Sequence, residues 1–388
     1  MEIKKVSVVG GGQLAQMMGQ AGKKIGVQIN CAGDETSCAF SDCIGFIQDL
    51  SYEKELKKFL DGVCAFTFES EHEGYEIAKL VEKYNVPVYP NAEFVKTAGD
   101  RFFEKSHLFN LKIPTAPFEL IDQDISIENL KTYLTDLIAN KKLSSNGIVI
   151  KTRHGGYDGK GQWVIKTDID IEEKFNDIHS KLLNPGCIVE GLVDFDFECS
   201  IIASRSISGD FKSWPLSHNI HKDSILARSY SPMTIVENVD ILENQAYDIA
   251  KKICSENNYV GTIAIECFVK NNKLIVNEIA PRVHNSGHWT IEGSTTSQFE
   301  QHLRAITDMK LGETTPLGYS ALINIVGREV TLEQREKLSN LDNVYLHWYS
   351  KEVRPFRKVG HITIVASDVT SRDELENQVL NILGDPRP

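Results

Sequence analysis

Asn277-Glu278-Ile279-Ala280-Pro281-Arg282-Val283-His284-Asn285-Ser286-Gly287-His288 follows the run Thr262-Ile263-Ala264-Ile265-Glu266-Cys267 across a short turn. The β-branched residues in both runs predict a hairpin. Along it lie two carboxylates, an amide, an arginine and two histidines. Polar groups on buried strands cost stability unless they are partnered, so apolar packing does not explain the pattern, whereas a metal or anion site does. The turn decides the pairing. A three-residue loop Asn271-Asn272-Lys273, with an Asn in the left-handed conformation, sets Glu266 opposite Glu278 on one face, as a shared magnesium ion requires. A two-residue Asn271-Asn272 turn opposes Glu266 to Asn277 instead. The plainer reading is a solvated hairpin with ordinary surface carboxylates.

Upstream, Lys151-Thr152-Arg153-His154-Gly155-Gly156-Tyr157-Asp158-Gly159-Lys160-Gly161-Gln162 joins two apolar strand segments. Such a loop can fold over a triphosphate, offering backbone N–H groups while Lys151 neutralises oxygens from the end of its strand. It does not match G-x-x-x-x-G-K-[ST] and is therefore not a P-loop. A mobile hairpin tip with solubilising lysines fits the loop taken alone equally well. The next apolar run, Ile188 to Val193, followed by Glu198, offers a backbone edge for an adenine and a carboxylate for ribose hydroxyls.

A first glycine cluster, Gly10-Gly11-Gly12-Gln13-Leu14-Ala15, follows a strand and opens a helix, with Asp34 after the second strand. That pattern satisfies G-x-G-x-x-A and raises a nicotinamide dehydrogenase as one reading. A tight packing turn explains the glycines equally well, because the motif's physics is only close backbone approach to a helix N-terminus.

The chain has 388 residues, 41% hydrophobic, with a formal net charge of −12. Its length exceeds what one hydrophobic core usually supports. The negative balance argues against a broad surface for nucleic acid or anionic membrane. The N-terminus opens on a charged strand without a signal pattern, and no apolar run approaches a membrane span, so the expected location is the cytoplasm. Eight cysteines without a C-x-x-C pair read as reduced thiols. Val6 to Val9, Val27 to Asn30, Ile44 to Ile47, Cys64 to Phe68 and Val86 to Tyr89 read as buried strands. Gln13 to Lys24 and Gly74 to Tyr84 between them read as helices, giving a parallel α/β unit. From Gly147 the texture changes to paired strands: Gly147–Lys151 with Gln162–Lys166, Cys187–Val193 with Glu198–Ser204, and Thr262–Val269 with Lys273–Ile279. Asp240 to Glu256, Gln298 to Asp308 and Arg372 to Ile382 are expected helices, and Tyr319 to Ile325 and His361 to Ala366 further strands.

In this order the elements resemble the ATP-grasp superfamily. The loop Gly155 to Gln162, His218-Asn219-Ile220-His221, Ala280 to Trp289 and His347 to His361 resemble, within it, the N5-carboxyaminoimidazole ribonucleotide synthetases. The likeness runs from Gly10 to about His361. It implies an α/β and α+β fold in three parts: a Rossmann-like pre-ATP-grasp domain over 1–95, an ATP-grasp domain over 96–300 and a small C-terminal domain over 301–388. It implies that Arg101, Lys151, Gly156, Tyr157, Asp158, Gly159, Lys160, Gly161, Gln162, Glu190, Gly191, Leu192, Val193, Glu198, His221, Asn277 and Glu278 bind ATP. Glu266 and Glu278 would hold magnesium, or manganese in its place. Gln13, Leu14, Glu69, Arg282, His284, Asn285, Ser286, Lys351, Arg357 and Lys358 would meet the second substrate, 5-aminoimidazole ribonucleotide, beside bicarbonate. Tyr157, Asp158, Arg282, His284 and Lys351 would act in catalysis, with the amine proton going to Tyr157, Asp158 or His284. Four cations between Lys351 and Lys358, in a chain of charge −12, support an anion site there, since they would otherwise repel one another. A homodimer is implied by the family alone. A sister ATP-grasp ligase with another acceptor is the competing reading, though His347 to His361 would not be expected in it. A catalytically silent nucleotide sensor would be expected to lack one of Lys151, Glu266 and Glu278.

Overall fold

A computed structural model describes residues 3–46, 50, 52–71, 74–156, 159–182, 184 and 186–384. The short apolar runs at the N-terminus assemble into a parallel sheet, buried along most of its strands and open at one edge, where Ile44 is 44% exposed. β1 (Lys4–Val9), β2 (Val27–Ala32), β3 (Ile44–Phe46) and β4 (Ala65–Phe68) lie in the order β3-β2-β1-β4, all pairs parallel. The helix Gln13–Ile25 leaves the first glycine turn and ends on Gly26 at φ 72°. Ile47, the end of the third expected strand, lies outside the described residues. Val86 to Tyr89, expected as a fifth strand, contributes only a bridge from Phe66 to Val88. Pro87 has no N–H to continue a ladder.

The middle of the chain builds two sheets. β5 (Phe118–Leu120), β6 (Ile148–Thr152), β7 (Gln162–Ile165) and β8 (Cys187–Gly191) form an antiparallel sheet in the order β5-β8-β6-β7. β9 (Phe197–Arg205), β10 (Phe211–Ser213), β11 (Ser217–Lys222), β12 (Ile225–Ser231), β13 (Gly261–Lys270) and β14 (Lys273–Ala280) join β15 (Tyr319–Val326), β16 (Val344–Trp348) and β17 (Lys358–Ala366) in a nine-stranded sheet. Its order is β14-β13-β9-β11-β12-β15-β17-β16, with β10 on β9. The expected pairing of Cys187–Val193 with Glu198–Ser204 is therefore corrected: β8 and β9 belong to different sheets. Both runs are apolar enough to be central strands, so pattern alone could not tell a hairpin from a crossing between sheets.

Helix Val239–Glu256 covers one face of the large sheet, and Leu242, Ala246, Ala250 and Ile253 on it are buried against Ile263 and Ile265. Helix Gln298–Ile306 packs on β9 and β13 of the same sheet, where Thr262 N–H donates to His302 Nδ1 at 3.0 Å, and bridges it to the N-terminal unit. Its Phe299, Leu303 and Ile306 enter the same core as Leu14, Met18 and Ala21 of the N-terminal helix. The expected cuts at residues 95 and 300 both fall inside helices, Ala92–Ala98 and Gln298–Ile306. Pairing of β12 with β15 carries one ladder across the second cut. All eight cysteines are free, and six of them are buried.

Candidate active site

The hairpin that decides the fold turns on Asn271 and Asn272, both left-handed at φ 50° and 59°, with Lys270 paired to Lys273. This is the two-residue turn, and by itself it would oppose Glu266 to Asn277. A β-bulge between Glu266 and Cys267 shifts the register, so Glu266 pairs with Glu278 after all. The extra residue is Asn277. Its carbonyl accepts from Lys105 Nζ at 2.6 Å and its Oδ1 accepts from Lys151 Nζ at 3.3 Å. The bulge thus delivers the carboxylate pair and two extra acceptors for buried lysines.

Four elements converge on this pair. Arg101, first residue of helix Arg101–Asn110, donates from Nη1 to Glu278 Oε2 at 3.0 Å and from Nη2 to Gly156 O at 3.1 Å. Lys151, in β6, donates to Glu190 Oε2 at 3.0 Å. Burial works to raise the Glu278 carboxyl, but Arg101 and Lys151 outweigh it and bring it down to about 2. Glu266 is pushed up to about 7, first by burial and then by the charge of Glu278. Glu190 is buried, and its Oε1 finds no partner among the described residues. Burial alone would raise Glu190, yet Lys105, Lys151 and Arg101 hold it below the usual carboxylate range.

His284 carries its geometry from the bulge onward. Ser286 N–H donates to its Nδ1 at 3.3 Å, so Nε2 bears the proton and lies 3.2 Å from Glu266 Oε1. Burial first, then the Arg282 charge, bring its pKa down to about 3, so it stays neutral. Arg282 grips Glu71 with two bonds, 2.7 and 3.2 Å. Ser286 is fully buried and accepts from Ser200 Oγ at 2.8 Å, while Asn285 and Asn324 exchange amide bonds of 2.9 and 2.6 Å. These two side chains brace the arm from behind.

Of the expected nucleotide residues, Glu198 accepts from His221 Nδ1 at 2.8 Å. Gly191 N–H is spent on Pro117 O at 2.8 Å, and Leu192 donates to Gly147 O at 3.0 Å and accepts from Ser144 Oγ at 2.7 Å, with Val193 following. At the loop tip Gly159 and Gly161 are left-handed at φ 78° and 67°. Gly159 lies so close to Ser224 that a Cβ would come within 2.4 Å of it, and Gln162 Nε2 donates to Ser224 Oγ at 3.0 Å. The loop from the small sheet therefore reaches the β11–β12 turn of the large one, with Lys160 at its tip. Tyr157 and Asp158 lie outside the described residues.

A second region opens beside the first glycine turn. A cavity of about 920 Å³ is lined by Gly10 to Gly12, Asp34, Ser37, Lys351 and Arg357, among others. Lys351 Nζ hydrogen-bonds Gln13 Oε1, tying the C-terminal cation stretch to the N-terminal helix. Glu69 accepts from Gly12 N–H at 2.6 Å and Leu14 N–H at 3.0 Å. A carboxylate thus occupies the helix N-terminus that a dinucleotide pyrophosphate would need. Asp34 is turned to Thr36, at 2.8 Å to its N–H and 2.7 Å to its hydroxyl. The dehydrogenase reading is corrected on both counts. Lys358 lies elsewhere: its charge acts on Glu266, His221 and His284.

Sequence reasoning missed Glu71, Glu104 and Lys105. Arg101, Glu104, Lys105 and Leu108 stand at i, i+3, i+4 and i+7, the spacing of a buried helix stripe. Charged residues in three of those four places were the available signal. Among the described residues no group of three or more His, Cys, Asp or Glu forms a metal cage, and no helix is long and apolar enough to cross a membrane. The donor set nevertheless fits magnesium, a hard cation that takes few carboxylates and completes its shell with water and substrate phosphate. One carboxylate is held ionised and the second is made costly by its neighbour, a repulsion that a divalent cation relieves.

Three family models match: a ribonucleotide synthetase preATP-grasp domain over residues 3–99, an ATP-grasp domain over 106–299 and a phosphoribosylaminoimidazole carboxylase C-terminal domain over 320–375. The chain is 36% identical over 367 residues to the N5-carboxyaminoimidazole ribonucleotide synthase of Pseudomonas aeruginosa, spanning 94% of this chain and 95% of that one. It is similar to the solved synthetase of Thermus thermophilus, with TM-score 0.86, 33% identity and 98% of each chain covered. The Aspergillus clavatus synthase in complex with ADP and 5-aminoimidazole ribonucleotide superposes with TM-score 0.84 at 25% identity, over 99% of this chain and 98% of that one.

Proposed function

The chain belongs to the N5-carboxyaminoimidazole ribonucleotide synthases of the ATP-grasp superfamily, and from that membership we propose how its cleft works. It is an ATP-dependent ligase that carboxylates 5-aminoimidazole ribonucleotide in purine biosynthesis. Bicarbonate is the carboxyl source. It is a poor electrophile, so ATP first phosphorylates it, the bicarbonate oxygen attacking the γ-phosphorus while ADP leaves. Carboxyphosphate then releases phosphate and carbon dioxide, and the exocyclic amine attacks that carbon and gives up a proton.

Lys151 and Arg101 neutralise the phosphate oxygens, and Glu198 with His221 orients the nucleotide. Glu266 and Glu278 would hold magnesium, which when bound would supply charge stabilisation for phosphoryl transfer. His284 serves as a neutral donor that fixes Glu266, which leaves Tyr157 or Asp158 to receive the amine proton. Arg282, set by Glu71, lines the reacting centre. The 5′-phosphate of the ribonucleotide sits at Lys351 and Arg357, beside the Gln13-Leu14 turn. Carboxyphosphate is labile in water, so it must form under the Gly155 to Gly161 loop. The chain works as a cytoplasmic homodimer.

One observation carries this reading: a single guanidinium, Arg101, bonds both the Glu278 carboxylate and the carbonyl of Gly156. Closure of the loop and charge at the phosphate site are thereby linked. The test is ADP release with Mg-ATP and bicarbonate, with and without 5-aminoimidazole ribonucleotide. Release should rise strongly with the ribonucleotide and vanish in Glu278→Gln. Retained ATP binding without response to the ribonucleotide would point to a different acceptor.

A further inference from the structure

The arm from Arg282 to His288 reaches the carboxylate pair with only a short turn, Asn285–Gly287, as regular structure of its own. Irregular backbone in a buried place needs hydrogen-bond partners from outside itself. His284 finds them in one side chain. Its N–H donates to Gln298 Oε1 at 2.9 Å, and its carbonyl accepts from Gln298 Nε2 at 2.6 Å, beside the Gly287 N–H of its own turn. Gln298 Nε2 also lies 3.0 Å from His288 Nδ1. Since Oε1 faces an N–H and Nε2 faces a carbonyl, the amide has one orientation; swapping its ends would set donor against donor. His288 Nδ1 therefore accepts the remaining N–H. Gly287 leaves room for this amide, because a Cβ there would come within 2.7 Å of Gln298 Oε1.

Gln298 is itself immobilised. It is fully buried, and its backbone N–H, which as a first helical residue lacks an intrahelical partner, donates to Thr290 Oγ1 at 2.9 Å. Its carbonyl accepts from Thr262 Oγ1 at 3.1 Å. One turn on, His302 takes Thr262 N–H on Nδ1 and so carries its proton on Nε2, 2.9 Å from Thr67 Oγ1 in β4. Helix Gln298–Ile306 is thus pinned to β13, which carries Glu266, and to β4, which leads to Glu69 at the first glycine turn. Three residues after Gln298 the helix repeats the device away from the site. Gln301, also fully buried, donates to Gly312 O and accepts from Gly312 N–H, each at 2.8 Å.

We propose that Gln298 is a positioning residue for the carboxylation: its amide clamps the His284 peptide, presenting the imidazole to Glu266 and the neighbouring Arg282 to the reacting centre. The assignment rests on the reading of the cleft given above. His284 Nε2 lies 3.2 Å from Glu266 Oε1, so a shift of the peptide moves that contact directly. A misplacement of about 1 Å at such a group costs about 10²-fold in rate. Among the described residues Gln298 makes no bond to Lys151, Arg101, Glu198 or His221, whose partners lie elsewhere. Nucleotide affinity is therefore independent of the clamp.

The test compares Gln298→Leu, Gln298→Glu and Gln301→Leu with the wild type, all as the full chain. Gln298→Leu removes the clamp. Gln298→Glu keeps the acceptor for His284 N–H but turns an oxygen toward its carbonyl, and being isosteric it covers the case of a Leu variant that fails to fold. Gln301→Leu removes the matching pair of bonds from Gly312. ADP release is followed at saturating Mg-ATP, bicarbonate and 5-aminoimidazole ribonucleotide, ADP affinity by calorimetry and folding by urea midpoints. Both Gln298 variants should lose kcat about 10–100-fold with ADP affinity unchanged, whereas Gln301→Leu should keep kcat despite a lowered urea midpoint. Retained kcat in a folded Gln298 variant, or an equal loss in Gln301→Leu, would overturn the inference and leave Gln298 as packing alone. Parallel loss of ADP affinity would do the same. Each comparison is a ratio to the wild type in bicarbonate-dependent ADP release. It is therefore separable from the carboxylation reading, which fails if the wild-type rate does not respond to the ribonucleotide.

Discussion

At the scale of single residues, the site is governed by how buried charges are divided among too few partners. Glu104 is 2% exposed and accepts from Ile279 N–H. Burial, partly countered by Lys105 and Arg101, pushes it up to about 8 from an ordinary 4.5. A carboxyl whose pKa is raised on folding binds its proton more tightly in the native state, so stability falls as pH climbs between the two values. Glu104→Gln keeps an oxygen for Ile279 and removes the titration. Wild type and Glu104→Gln should therefore be close in stability near pH 5 and diverge toward pH 9. The variant should become the more stable by more than about 1.4 kcal/mol, the worth of one pKa unit. Urea midpoints at the two pH values measure this, and a constant difference would mean Glu104 ionises normally. Lys105, beside it, has 0% exposure and was invisible to composition, because lysine in a helix ordinarily reads as solvated. Only its place in the 101, 104, 105, 108 stripe marks it as interior.

At the scale of elements, the hairpin β13–β14 shows where sequence reading stops. The strands, the turn residues and the carboxylates were legible from β-branched content and Asn-Asn. The register was not, because a bulge leaves no compositional mark when its extra residue is as polar as its neighbours. The two-residue turn and the facing glutamates looked mutually exclusive, and Asn277 reconciles them. Deleting Asn277 should leave Glu266 opposite Glu278, since the turn and all residues beyond the bulge keep their partners. It should withdraw acceptors from Lys105 and Lys151 and cost about 1–3 kcal/mol, the penalty for a buried donor left short. A urea titration reads the loss, and a structure of the deletion variant reads the register; loss of the Glu266/Glu278 pairing would show that the bulge does more than absorb one residue. The separation of β8 from β9 failed for a different reason. Two adjacent apolar strands carry no label saying which sheet each joins, and the long-range pairing of β9 with β13 decides it.

At the scale of the molecule, the parts are joined more firmly than a chain of three domains suggests. The large sheet runs through β12 into β15, and helix Gln298–Ile306 plugs into the N-terminal core. Two proposed anion sites follow, one at Lys151, Arg101 and the carboxylate pair, the other at the cavity between the N-terminal turn and the segment of Lys351 and Arg357. The second brings residues more than 300 positions apart into contact, with Lys351 on Gln13. Each half of it could be read as anion-binding in the sequence, but only the fold brings the halves together. Burial, outweighing nearby acidic groups, lowers the Lys351 pKa from its usual value, which fits a cation poised for a phosphate partner rather than for bulk water. Lys351→Met should therefore raise KM for 5-aminoimidazole ribonucleotide, by about 10–100-fold for the loss of one charge-assisted bond of roughly 1.5–3 kcal/mol. ADP affinity should stay unchanged, because none of the groups around the carboxylate pair bonds Lys351. Steady-state kinetics with each substrate varied in turn checks the split. Equal weakening toward both substrates would mean that the two sites are one electrostatic unit, and that Lys351 acts through the packing between the N-terminal helix and the C-terminal segment rather than on the ribonucleotide phosphate.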